Sequence, residues 1–325
     1  MDRRVGTYGD MQLDTLARSA PLATAREDVI SPGRVLALLE DGRVDEGMRA
    51  AFDLFGAGGS DAIAPATDAE RAFEENLVAQ RLVDVLAENP LVGMSRARWL
   101  GYPGDPDLVD IALGESRVCG ATARGRQMLQ WLLEHSSLVR ALRRRRSYLA
   151  GQIDVLGSSH SPGPVAALFA GYGRELLASR HYRAGDVAAH LIGHDVRAQG
   201  FARALHRGLR AQFHDAALAD VIGESHRHYD CALAYAPDLA DHLAEDALRP
   251  LIESLLTWMR PGGEIILPAL SDRSELAFFG VVAGWRPNTW TASRLMRLAQ
   301  DLGDVAAWLR QDTASGVSFL HLQRC

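Results

Sequence analysis

The stretch Gly157–Pro164, GSSHSPGP, is the strongest breaker in the chain, and the hydrophobic rhythm changes across it. On its C-terminal side short apolar runs alternate with amphipathic ones. VAALFAG precedes a helical segment from Arg174, VAAHLIGHD precedes VRAQGFARALHRG, and the weak run AQFHD leads to YDCALAYA. Then come the helical EDALRPLIESLLTWM, a turn at RPGG, a strand EIILPAL, a helix TASRLMRLAQDLG and a terminal strand VSFLHLQ. Strands alternating with helices in this way bury a mostly parallel sheet between helical layers. The expected fold class is therefore α/β with a doubly wound sheet, whose ligands bind at the carboxyl ends of the strands.

Ahead of the breaker the period is helical. SPGRVLALLEDGRVDEGMRAAFDLF reads as two helices, with Ser31 capping the first and Pro32 just inside it. Phe73, Leu77, Leu82, Val85 and Leu86 recur near a period of 3.6 up to Asn89-Pro90. RQMLQWLLEHSSLVRALRRRRSYLAGQI is one long helix or two joined near Ser136-Ser137. Three units are expected: a flexible arm over 1–28, a helical cap or substrate domain over 29–155, and the sheet domain over 156–325.

The 325 residues, 47% apolar, suffice for such cores, and a net charge of −6 argues against nucleic acid. Cys119, Cys231 and Cys325 are far apart, with neither metal-ligand nor disulfide spacing, and no metal is expected. The first ten residues hold no signal-peptide apolar stretch, and no run is long enough to span a bilayer. A cytoplasmic setting is expected. HRH at 226–228 reads as surface loop.

The chemistry gathers around GYGREL, which follows the first strand. Gly171 and Gly173 let backbone approach a cofactor closely, and Asp195 stands about 20 residues on, where an acid grips ribose hydroxyls. With the MRPGGEIIL turn before a late strand, this pattern resembles the class I S-adenosylmethionine-dependent methyltransferases. LGYPGDPDLVDIALG and ALRRRRSYLAGQI are similar to the RGYAGD segment and AVRNRRxYL helix of a bacterial subgroup. That subgroup includes proteins linked to making the methyl ester of 3-hydroxypalmitic acid, an extracellular signal.

The resemblance implies a Rossmann-like methyltransferase domain under a helical N-terminal cap, with S-adenosylmethionine as cofactor. Gly171, Gly173, Asp195, Asp215 and Ala216 would bind it. The implied reaction is O-methylation of a carboxylate on a small or lipid-like acid. Tyr102, Arg143, Arg145 and Tyr235 would be catalytic, and Asp105, Arg146 and Asp238 would meet substrate. A homodimer is compatible with the pattern but not specified by it.

Several of these residues have a second reading. Arg145 lies three positions after Leu142 on an apolar face and wants a buried acceptor, either a ligand carboxylate or a structural ion pair. Arg144 is expected to face solvent. Asp105 either belongs to a lid with Tyr102 or caps the next helix, and Asp195 and Asp241 are also placed as caps. Two positions depart from the family pattern. Phe169 stands where such loops carry glycine, and Gly193 stands where the second strand carries an acid. They leave open a methyltransferase-fold protein that has lost or changed its cofactor use, as a non-catalytic partner or in another reaction class.

Overall fold

A computed structural model describes residues 30–56, 77–98, 105–116, 118–223 and 229–325. The expected arm over 1–28, Tyr102, and His226 to His228 lie outside the described residues. Seven helices lead the described chain: α1 (Pro32–Glu40), α2 (Val44–Gly56), α3 (Leu77–Leu86), α4 (Pro90–Ala97), α5 (Pro106–Leu113), α6 (Ala123–His135) and α7 (Ser137–Gly157). The side chain of Ser31 accepts from Arg34 N–H, and Pro32 opens α1. Asn89 caps α4 through Leu91 N–H, so Asn89-Pro90 starts a helix as well as stopping one. Ser136 ends α6 and caps α7, dividing the long helical run in two.

Seven strands follow: β1 (Val165–Leu168), β2 (Ala189–Gly193), β3 (Ala211–Asp215), β4 (Cys231–Tyr235), β5 (Met259–Leu270), β6 (Val305–Asp312) and β7 (Val317–Arg324). Their order across the sheet is β3-β2-β1-β4-β5-β7-β6. β1 to β5 run parallel, and β7 is antiparallel to both β5 and β6. This is the expected Rossmann-like α/β fold, with a helical N-terminal region. Between the strands lie α8 (Arg174–Ala178), α9 (Arg180–Ala184), α10 (Val196–Leu205), α11 (Leu218–Gly223), α12 (Leu239–His242), α13 (Glu245–Trp258), α14 (Leu276–Val282) and α15 (Ala292–Arg297).

Two details differ from the sequence reading. β6 is absent from the expected rhythm: it is an edge strand whose inward side carries only Val305, Ala307 and Leu309 as apolar residues. RPGG is not a turn ahead of β5 but a bulge within it. Met259 pairs with Cys231 and Glu264 with Leu233, and Gly262 takes φ +75° between them.

The period-two alternation of the strands assigns the two faces. Val165, Ala167, Leu191, Leu233 and Tyr235 point to one side, into a core shared with Leu82, Leu108, Leu132, Leu142 and Leu149 of the leading helices. Ala166, Leu168, Ile192, Ala234 and Ile265 point to the other, against Leu248, Leu251 and Leu255 of α13. The hydrophobic core thus runs continuously across position 155, where α7 lies on the sheet. Tyr148 of α7 stacks on Phe319 of β7 at 3.9 Å between centroids, and its hydroxyl bonds His321 Nε2 at 2.8 Å. No helix among the described residues is long and apolar enough to cross a membrane.

Candidate functional site: a carboxylate-lined cavity at the ends of β1 and β2

The chain after β1 turns through left-handed conformations at Phe169, Gly171 and Gly173, with φ of +49°, +54° and +64°. Glycine adopts this region freely, whereas an L-residue such as Phe169 pays roughly 1–2 kcal/mol. The turn is backed by buried polar contacts. His206 Nε2 meets the Tyr172 carbonyl at 2.9 Å, and Nδ1 meets the Tyr182 hydroxyl at 2.7 Å. The carbonyl only accepts, so Nε2 carries the proton and Nδ1 accepts from Tyr182. Burial holds the His206 imidazole below its usual range, so the ring is the neutral one this pattern needs.

Helix α5 docks on that turn. Asp110 forms a two-point ion pair with Arg174, through Nε at 2.7 Å and through the terminal Nη2, and Tyr172 donates its hydroxyl to Asp107 at 2.6 Å. Pro106 packs so closely on Gly171 that a Cβ there would stand 2.8 Å from Pro106 Cγ. Of the leading helices, α5 therefore sits at the carboxyl end of β1.

Between α5, the turn, the end of β2, α10 and α12 lies a cavity of about 370 Å³. That size suits a nucleoside-sized ligand. Gly171, Asp195 and Asp238, three of the residues singled out from sequence, line it. Asp195 also caps α10, its Oδ1 accepting from Arg197 N–H at 2.9 Å and Ala198 N–H at 3.0 Å. Gly173 stands just behind the lining, where a Cβ would meet Leu191 and His206 at 2.9 and 3.0 Å.

The other expected site residues lie elsewhere. Asp215 is exposed and Ala216 is buried in the far core, and neither lines the cavity. The Gln199 side chain closes that side by donating to the carbonyls of Gly193 and of His214, the latter at 2.9 Å. Asp105 is a cap, accepting from Leu108 N–H at 3.0 Å. Arg143 donates to the carbonyls of Ala112 at 2.9 Å and Leu133 at 2.8 Å, joining the ends of α5 and α6. Arg146 pairs with Glu115 at 2.7 Å. Arg144, expected in solvent, is half-buried and pairs with Asp312 at 2.6 Å, because α7 passes over the end of β6. Tyr235 is fully buried, and its hydroxyl has no hydrogen-bond partner among the described residues.

Arg145 is 1% exposed. Its guanidinium clasps Asp241 at 2.6 and 2.8 Å and reaches Asp238 at 3.3 Å. Asn288 N–H donates to the Asp241 carbonyl at 2.8 Å and Trp290 Nε1 to the Ala240 carbonyl at 2.7 Å. The four-residue α12, which gives the cavity Asp238, Leu239 and His242, is thus pinned from two sides.

Sequence reasoning missed Glu175. It lines the cavity at 6% exposure, and burial pushes its carboxyl up to about 8. The signal available was an acid directly after Arg174 at the start of a helix whose next residue, Leu176, is core. The lining holds four carboxyl groups, Asp110, Glu175, Asp195 and Asp238, against one arginine, Arg174, which Asp110 already holds.

The two family departures meet here. Phe169 has its ring against Gly193, where a Cβ would stand 3.8 Å from Phe169 Cδ1, and tilts edge-on to His194 at 5.9 Å.

No protein-family model and no curated protein matches the chain. Among solved structures, it is similar to a possible exported protein from Bordetella parapertussis, at 16% identity and a TM-score of 0.55, over 90% of this chain and 97% of that one. An O-methyltransferase family protein from Burkholderia thailandensis matches at 16% identity and a TM-score of 0.46, over 89% and 97%. A magnesium protoporphyrin IX methyltransferase from Synechocystis with bound S-adenosylhomocysteine matches at 12% and 0.47, over 74% and 100%. At 16% identity the likeness to the first of these is one of fold.

Proposed function

We propose that the protein is a methyltransferase that binds S-adenosylmethionine in this cavity. One observation carries the reading. A nucleoside-sized cavity opens at the carboxyl ends of β1 and β2 of a methyltransferase-type sheet, bordered by left-handed Gly171 and lined by four carboxyl groups. A ligand with a sulfonium and an ammonium suits such a lining, since carboxylates in an apolar wall favour opposite charge. When bound, this cofactor supplies a methyl group made electrophilic by its sulfonium. The chain's own part is to hold and orient: Gly171 would let the backbone approach, Asp195 would meet the ribose, and Asp238 and Glu175, which also line the cavity, would meet the rest of the ligand.

The acceptor we propose, from the subgroup resemblance, is the carboxylate of a small or lipid-like acid. Pro106, Val109 and Leu239 give an acyl chain an apolar wall. Such a carboxylate is ionised at neutral pH and needs no general base, only placement. The arginines of α7 are held by internal partners, so the exposed lining residues His194 and His242 would receive it.

A second reading, changed cofactor use, is favoured by the Phe169 ring over Gly193, which puts an aromatic face where the family pattern has an acid. Calorimetry and thermal unfolding with S-adenosylhomocysteine separate the two. Binding is expected, and ligand at a hundredfold excess over Kd adds about 2.7 kcal/mol of stability. Absence of both heat and stabilisation rejects the cofactor reading in favour of the second.

A further inference from the structure

The cavity lining holds an acid with one oxygen that no group among the described residues answers. Glu175 lines the cavity, is 6% exposed, and its Oε2 has no hydrogen-bond partner among the described residues. A buried carboxyl without a partner is costly, whichever protonation state it holds. Leucine at this place on α8 would continue the apolar core of Leu176, so the acid is a poor choice for stability alone.

We propose that Glu175, with Asp238, receives a primary ammonium group of the bound ligand. This rests on the cofactor reading above and places the amino-acid end of that ligand between α8 and α12. The charges around Glu175 favour it. Asp238 and Asp110 bear on Glu175 with negative charge, and Arg146 opposes them from α7 while held by Glu115 at 2.7 Å. Tyr235 from β4 lies within the field of Glu175 with its hydroxyl unpartnered. A hydroxyl or amide ligand would satisfy the open oxygen but leave this negative field unanswered. An ammonium meets both needs, with three N–H donors.

The geometry has a consequence for protons. Burial, opposed by the residue's own backbone N–H and reinforced by Asp238, pushes the Glu175 carboxyl up to about 8. At neutral pH it holds its proton in the ligand-free protein. An arriving ammonium keeps its three hydrogens, Glu175 ionises, and the released proton goes to the buffer. The ammonium could belong to the amino-acid end of the cofactor or to an amine acceptor beside it.

The test is calorimetry on the full chain near neutral pH in two buffers of different ionisation enthalpy. The probes are S-adenosylhomocysteine, 5′-methylthioadenosine (the same thioether nucleoside without an ammonium), and methylthioadenosine followed by butylamine. S-adenosylhomocysteine should release about one proton on binding and methylthioadenosine none. Glu175→Gln should bind methylthioadenosine as wild type does, which shows that it is folded. It should bind S-adenosylhomocysteine about tenfold or more weakly, without proton release. Release seen only with butylamine would assign the ammonium to an acceptor and sustain the proposal. S-adenosylhomocysteine binding without release from either source, or equally well to Glu175→Gln, would overturn it and leave the cofactor reading standing. If neither adenosyl compound binds, the cofactor reading falls and this inference falls with it.

Discussion

Arg145 and Arg144 are neighbours in sequence with different surroundings, so truncating each to alanine isolates the effect of burial. Arg145 and Asp241 have side-chain exposures of 2% and 1%, and the contact is two-pronged. Arg145→Ala leaves the Asp241 carboxylate buried without its cation, which costs about 3–5 kcal/mol. Arg144 and Asp312 have side-chain exposures of 34% and 23%, and a pair so wet is worth about 0–1 kcal/mol. Urea unfolding of both variants, with unchanged m-values, should separate them by at least 2 kcal/mol or so.

A second pair of variants shows where that loss comes from. Arg145 Nε has no partner among the described residues, so the intact pair is not an ideal one. Its net worth against an apolar replacement is therefore small, even though breaking it is expensive. Arg145→Met combined with Asp241→Leu should recover most of what Arg145→Met alone loses. Equal losses for Arg145→Ala and Arg144→Ala, or no recovery in the double variant, would refute the reasoning. The variant should also loosen ligand binding, since α12 carries Asp238, Leu239 and His242.

Two further outcomes are expected. Gly193→Asp should destabilise by about 1–3 kcal/mol, because its Cβ meets the Phe169 ring at 3.8 Å and its carboxylate loses water against the aromatic face; adding Phe169→Gly should return at least half of that and tighten S-adenosylhomocysteine binding, so additive losses in a double-mutant cycle would count against the contact. His206, whose pKa is lowered by burial, contributes stability that is complete above its unfolded value near 6.5 and is lost as pH falls below it. Melting temperatures from pH 5 to 8 should therefore drop less steeply toward acid in His206→Gln than in wild type. The comparison is needed because His190, pushed to about 4 by burial and by His214, bends the wild-type curve the same way.

Much of the frame was legible because its signals are local. Ser31 with Pro32, the Ser136 joint and the alternation after Pro164 each announce an element within a few residues. The inward turn of Arg145 was legible from Leu142, but its acceptor was not, since Asp241 lies 96 positions away and only the packing of α7 on the sheet brings them together. Asp215 and Ala216 were placed by analogy, and the Gln199 side chain, from a different helix, fills the gap between β2 and β3 where they were expected to act. Glu175 was passed over because an acid in a helical segment ordinarily faces water. β6 was hidden because VAAWLRQD shows no alternation of apolar and polar residues: its first five residues are all apolar and the rest polar.

The least legible feature is also the one that joins the two family departures. Strand alternation places Phe169 on the face opposite Leu168, but that rule assumes the strand continues. β1 ends at Leu168, and a left-handed φ at Phe169 swings the ring toward the end of β2. There it packs against the same core as Leu168 and covers Gly193. A Cβ at 193 would touch the ring at 3.8 Å, so a side chain there would lie along its face, and a smaller residue at 169 would leave Gly193 bare. The ring at 169 and the glycine at 193 thus form one surface: an aromatic wall at the end of β2, where the resemblance would put a carboxylate. That leaves Asp195, two residues on and tied to the start of α10, as the carboxylate of the lining on that side. A ribose held there would stack on Phe169 and meet its acid from α10 instead of from the strand. The prediction that follows is a shifted balance: removing the ribose hydroxyls from the adenosyl ligand should cost less affinity in wild type than in the Phe169→Gly, Gly193→Asp variant. Equal losses in the two proteins would mean that ring and acid do not exchange places.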